Sequence, residues 1–151
     1  MASFIVNGQE VSPSKNQKLL RFLRDELHIT SAKDGCSEGA CGACTVIIDG
    51  QTCKSCVPDT DSLAGKNVIT VEGLSDWEQK VYTYAYGKAG AVQCGFCIPG
   101  MVMCTKALLD VNPEQPMMRF AMRCATTIAA VQDMSRSWNA VRLAAKILKE
   151  G

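Results

Sequence analysis

With 151 residues and 47% hydrophobic content, the chain has apolar material enough for one domain or two small ones. A formal net charge of +1, with no basic cluster, argues against a nucleic-acid or membrane-surface partner. Nine cysteines, an opening M-A-S-F-I-V-N-G without an apolar leader, and no run able to span a bilayer point to a reducing, cytoplasmic setting in which cysteine pairs bind metal more often than they form disulfides. The single histidine, His28, leaves a Cys2His2 zinc site or a histidine-based catalytic apparatus hard to build, and it reads as a helix-end residue.

Phe4 to Val6, the Asn7-Gly8 turn and Gln9 to Val11 predict a hairpin. Leu19, Leu20, Phe22, Leu23 and Leu27 recur at helical spacing, so Lys18 to Leu27 should form an amphipathic helix lying on a sheet. The stretch that follows, C-S-E-G-A-C-G-A-C-T-V-I-I-D-G-Q-T-C-K-S-C, carries Cys36, Cys41 and Cys44, then Cys53 and Cys56 beyond a short apolar run. A C-x4-C-x2-C run followed by a more distant cysteine is the plant-type ferredoxin spacing, in which four thiolates hold two irons. Gly35, Gly39, Ala40, Gly42 and Ala43 let the backbone close in and turn its N–H groups on the sulfurs. Thr45 to Ile48, Asp49-Gly50 and Gln51 onward predict a second hairpin, whose returning strand brings either Cys53 or Cys56 as fourth ligand.

Asn67 to Val71 gives a last strand, and the succession strand, strand, helix, metal loop, strand, strand, strand is a β-grasp arrangement ending near Gly73. From Ser75 the character changes. Ser75 caps a helix with Asp76 and Glu78 in its first turn, running towards Lys88, and Gly90 breaks it. Gln93 to Gly100 forms a loop with a Cys94-x2-Cys97 pair, Met101 to Leu109 starts another helix that stops before Asn112-Pro113, and Asn139 to Glu150 is helical again. Tyr82, Tyr84 and Tyr86 alternate on a helix and cannot share one face; with Trp77 they read as packing or interface.

D-G-C-S-E-G-A-C-G-A-C-T-V followed by A-V-Q-C-G-F-C-I-P-G-M-V-M resembles the small iron–sulfur subunit of the molybdenum hydroxylases, the xanthine dehydrogenase and aldehyde oxidoreductase family. The resemblance covers nearly the whole chain. It implies an α+β protein: a β-grasp, plant-type ferredoxin domain over residues 1–74 and a small four-helix-bundle domain over 75–151, each with one [2Fe–2S] cluster. It matches Cys36, Cys41, Cys44 and Cys56 to the first cluster, which sets Cys53 aside, and Cys94 and Cys97 to the second. Gln93 matches the position that lies against the pterin. Molybdopterin on a large subunit and FAD on a medium subunit are the implied partner cofactors, with electrons passing from the molybdenum site through both clusters to FAD.

The last two ligands of the second cluster come, in that family, from a C-R-C-T-G-Y segment. Both the interval from Cys97 and the tail resemblance through A-V-R-L-A-A-K-I-L-K-E set them at positions that hold Ala129 and Val131; Cys124 is the fallback nearby. Either the second cluster is absent, or Cys104 or Cys124 is conscripted, or the recorded residues are not those of the protein; a frame error, the favoured hypothesis, would account for the last. When each true codon is the last base of one recorded codon plus the first two of the next, Ile128 to Met134 permits C-R-C-T-G-Y at those positions. Met117 to Thr127 permits D-D-E-V-R-H-A-L-R-N-N, so paired one-base errors near Gln115 and Asn139 are suspected.

Rival readings are zinc and a mobile carrier. Cys41-x2-Cys44 and Cys53-x2-Cys56 have zinc-ribbon-like spacing, and a zinc-stabilised interaction module would use them, but Cys36 would stand idle. A free-standing ferredoxin-like carrier would present a strongly acidic face for steering, and this chain is near neutral. Cys53 and Cys104 read as small buried hydrophobes.

Overall fold

The structure is a computed structural model and describes residues 2–92, 94–112 and 134–150. Strands β1 (Phe4–Val6) and β2 (Gln9–Val11) form the predicted hairpin, and Asn7 and Gly8 take the positive φ values, 51° and 83°, that a two-residue turn of this twist demands. The same chemistry closes the hairpin of β3 (Thr45–Ile48) and β4 (Gln51–Lys54), with Asp49 at 49° and Gly50 at 84°. With β5 (Asn67–Ile69) the strands make one sheet in the order β2-β1-β5-β3-β4, in which β1 and β5 run parallel and the other neighbours antiparallel. The last strand is shorter than the sequence suggests, because Val71–Gly73 turns into a 3-10 helix.

The helix expected over residues 18–27 is a single α turn, α1 (Leu19–Arg21), that widens into a π turn over Phe22–Glu26. Leu27 N–H bonds to Phe22 O at 3.1 Å, one residue further back than an α-helix allows, and His28 ends the segment at φ 56°. Its apolar face still lies on the sheet. Leu19, Leu20, Phe22 and Leu23 pack with Phe4, Val6, Val46 and Val68, and the Phe4 and Phe22 rings meet edge to face at 5.6 Å. Such a ring pair adds about 0.5–1.5 kcal/mol to the area it buries.

Helix α2 (Asp76–Lys88) begins at the predicted cap, where Ser75 Oγ accepts from Glu78 N–H and the Glu78 carboxylate reaches back to Ser75 N–H. Helix α3 (Ile98–Val111) starts three residues earlier than the apolar run suggests, since Pro99 is tolerated in a first turn. Helix α4 (Met134–Glu150) likewise extends beyond its expected start. Tyr82 and Tyr86, one helical turn apart, are buried among α3 and α4 residues, while Tyr84 is exposed. Ile47 belongs to this second core and its neighbour Val46 to the first, so β3 is buried on both faces: α1 covers one side of the sheet and α3 packs on the other. Among the described residues no helix is long and apolar enough to cross a membrane.

Candidate metal centre

The loop from Gly35 to Cys44 has almost no secondary structure, and its backbone is spent on sulfur. Glu38, Ala40 and Cys41 N–H all point at Cys36 Sγ, at 3.3, 3.4 and 3.4 Å; Ala43 N–H points at Cys41 Sγ at 3.4 Å, and Gly39 N–H at Cys56 Sγ at 3.1 Å. Ser37, Gly39 and Gly42 adopt positive φ to make these turns. Gly39 has a second reason to lack a side chain, since a Cβ there would stand 2.8 Å from Val57 Cγ2. At Gly35 a Cβ would reach to 2.7 Å from Cys41 Sγ.

The sulfurs neighbour one another as pairs, Cys36 beside Cys41 and Cys44 beside Cys56, and the two pairs act on each other. The N–H groups of Cys41, Glu38 and Ala40 draw the Cys36 thiol down to about 7. Burial pushes Cys41 up, partly offset by the Ala43 N–H, and burial together with the Cys44 hydrogen bond pushes Cys56 up to about 11. Binding iron therefore displaces protons from Cys41 and Cys56, which resist ionising, while Cys36 gives up its proton readily. Converging N–H donors suit a donor set that is negatively charged when loaded, so these residues fit a thiolate-held cluster.

Cys53 does not join the pairs in the same way. It sits within β4 opposite Val46, half-buried, and burial raises its thiol. Cys94 is exposed and Cys97 partly buried at the start of α3. Burial, then the neighbouring Cys94 and Cys41 sulfurs, raise the Cys97 thiol, so the two cysteine loops lie within electrostatic reach of each other. The contact is tight: a Cβ on Gly100, in the first turn of α3, would stand 2.5 Å from Gly42 O, and one on Gly35 would stand 3.5 Å from the Phe96 ring. Cys104 is buried within α3 and disulfide-bonded. Gln93, Cys124, Ala129 and Val131 lie outside the described residues.

Two groups near the loop carry no motif. Lys54 Nζ donates to Gly39 O at 2.7 Å, and Lys18 Nζ donates to Val57 O at 2.9 Å while pairing with Asp59 at 3.1 Å. Cysteine spacing gives no sign of them, because both reach the loop from other elements.

Two family descriptions match the chain: "2Fe-2S iron-sulfur cluster binding domain" over residues 6–81 and "[2Fe-2S] binding domain" over residues 70–133. Together with the thiol-lined loop they define an iron–sulfur protein. The chain is 47% identical over 115 residues to one of the subunits of the nicotinate dehydrogenase of Pseudomonas putida, covering 74% of this chain and 73% of that one. It is 42% identical over 112 residues to the nicotinate dehydrogenase small FeS subunit of Eubacterium barkeri, covering 72% and 71%. Among solved structures it is similar to the aldehyde oxidoreductase of Desulfovibrio desulfuricans, with TM-score 0.88 and 34% identity over 99% of this chain but 17% of that longer one. It is also similar to quinoline 2-oxidoreductase of Pseudomonas putida, with TM-score 0.85 and 28% identity over 99% of this chain and 96% of that one. The chain belongs to the small iron–sulfur subunits of the molybdenum hydroxylases, and its role is electron transfer within an oxidoreductase.

Proposed function

We propose that the chain holds one [2Fe–2S] cluster on Cys36, Cys41, Cys44 and Cys56 and a second on Cys94, Cys97 and two further cysteines, and relays electrons from a molybdopterin-bearing large subunit to FAD on a medium subunit. In this reading residues 1–74 form a β-grasp ferredoxin-type domain and 75–151 a four-helix domain. The observation that carries it is the set of backbone N–H groups turned on the Cys36, Cys41 and Cys56 sulfurs. Such donors offset the negative charge of a thiolate-held cluster.

A thiolate-held cluster of this kind passes single electrons between iron oxidation states without making or breaking a bond to substrate. The chain's own residues supply the rest: Gly35, Gly39 and Gly42 bring N–H groups to the sulfurs, and β3 and β4 hold Cys44 and Cys56 together at the core. Gln93 is the proposed contact to the pterin. The relatives named for nicotinate and quinoline suggest that the large subunit hydroxylates an aromatic heterocycle, with an aldehyde as the other candidate. The cytoplasm is part of the same reading, since cysteine clusters that hold metal belong to reducing compartments.

The frame-error reading supplies the two missing ligands as cysteines at the positions recorded as Ala129 and Val131. Iron and sulfide counting on the purified protein, with peptide mass mapping of residues 116–139, tests both statements. Four irons per chain and a peptide containing C-R-C-T-G-Y are expected. Two irons, with the peptide carrying Ala129 and Val131 recovered intact, would remove the second cluster from the proposal.

A further inference from the structure

The Gly39–Ala40 peptide is held at both ends. Its carbonyl oxygen accepts from the Lys54 ammonium at 2.7 Å, and its N–H points at Cys36 Sγ at 3.4 Å. A cation on the oxygen side of a peptide draws electron density towards itself and makes the N–H a stronger donor, so hydrogen bonds in such a chain reinforce one another. Lys54 is half-buried on β4, one of the two edge strands of the sheet, and among the described residues it forms no ion pair. The other lysine at this loop differs in that respect, since Asp59 compensates the charge of Lys18.

We propose that Lys54 is a positioning residue for the first cluster: through the Gly39–Ala40 peptide it fixes the loop over Cys36 and places an uncompensated positive charge that favours the reduced state. The inference rests on the reading that Cys36 is an iron ligand. Reduction adds one electron to the cluster, with no bond formed or broken, so the site becomes one charge more negative. A fixed cation one peptide away stabilises that form and raises the reduction potential. Lys54 also bears on Cys56, because the Gly39 N–H that donates to Cys56 Sγ belongs to the adjoining peptide of the same turn.

The test is a dithionite titration followed by electron paramagnetic resonance, on the full-length chain purified with the subunits it assembles with. Lys54→Met should lower the midpoint potential of the first cluster and shift its resonance signal, while Lys54→Arg, which keeps the charge and a donor, should restore the wild-type midpoint. A Met variant with an unchanged midpoint overturns the proposal, and so does an Arg variant displaced as far as the Met variant. Should Lys54→Met emerge without iron, Lys54→Gln joins the comparison. Iron retained with Arg and lost with both neutral residues supports the positioning role, and iron lost with Arg as well overturns it. A wild-type protein that shows no cluster signal defeats the ligand assignment itself, which is a different result from any of these.

Discussion

Cys53 and Cys56 stand three residues apart on the returning side of one hairpin, yet their surroundings differ. Cys53 is a ladder residue of β4 paired with Val46 on β3, whereas Cys56 lies past the strand end, 7% exposed and accepting from Gly39 N–H. On the proposed ligand set, Cys56→Ser should lose the first cluster and its visible absorbance, while Cys53→Ser should keep its iron and change stability by no more than about 1 kcal/mol. Iron per chain is the measurement. Full loading in the Cys56 variant would remove this residue from the site. The spacing made sulfur chemistry legible because three thiols within nine residues have few other uses. It left Cys53 and Cys56 open, since spacing does not say where the returning strand stops, and that is what makes their surroundings differ. Lys54 was invisible for another reason: its partner is a backbone carbonyl fifteen positions away, and carbonyls have no signature in a sequence.

At the scale of elements, the hairpins and the Ser75 cap were legible because their determinants are local: Asn-Gly and Asp-Gly for the turns, a serine three residues before a glutamate for the cap. The π turn after α1 was not, because a bond from Leu27 to Phe22 is chosen by how that segment seats on the sheet rather than by its periodicity. Helices α2 and α3 are joined by Lys106 Nζ and Glu78 Oε1 at 2.7 Å, with the lysine also reaching Asp110 at 3.3 Å. Burial opposes ionisation of Glu78, but the hydrogen bonds from Lys106 and Ser75 outweigh it and hold the carboxyl below its ordinary value. For Lys106, burial is likewise outweighed by Glu78 and Asp110, which hold it above. A carboxyl with a lowered folded pKa contributes stability above its unfolded pKa and loses it as pH falls through the folded one. A lysine with a raised pKa contributes below its unfolded pKa and loses it as pH rises through the folded one. The pair therefore acts across the neutral range. Lys106→Met should cost about 1 kcal/mol at pH 7, discounted for solvent screening, and the gap to wild type should shrink in acid. Urea melts at the two pH values measure it; an equal gap at both would show that the ion pair is not its source.

Across the whole molecule, the cysteine loop of the first half and the first turn of α3 meet at Gly42 and Gly100 with no room for a side chain. Gly100→Ala would drive a methyl group against a backbone oxygen, and overpacking of this kind costs about 1–3 kcal/mol. Because the carbonyl cannot swing aside as a flexible side chain could, the strain should be relieved by parting the two loops. With both clusters present and reduced, their mutual magnetic broadening should weaken in the variant, read by electron paramagnetic resonance at low temperature. Unchanged broadening would mean that the glycine contact does not set the spacing. The two runs of cysteines could be read from the chain separately; that they face each other could not, since contacts between distant parts of the chain, such as Gly42 with Gly100, bring them together.

The pairing of β1 with β5 has its own consequence for how the molecule is made. The middle of the sheet is drawn from opposite ends of the first half, Ile5 and Val6 lying beside Asn67 and Val68. In a nascent chain the β1 edge that faces β5 stays unpaired until the fifth strand has been synthesised, and Cys36 to Cys56 all emerge in that interval. The sulfur-bearing loop is thus complete as a chain before the sheet beneath it can close.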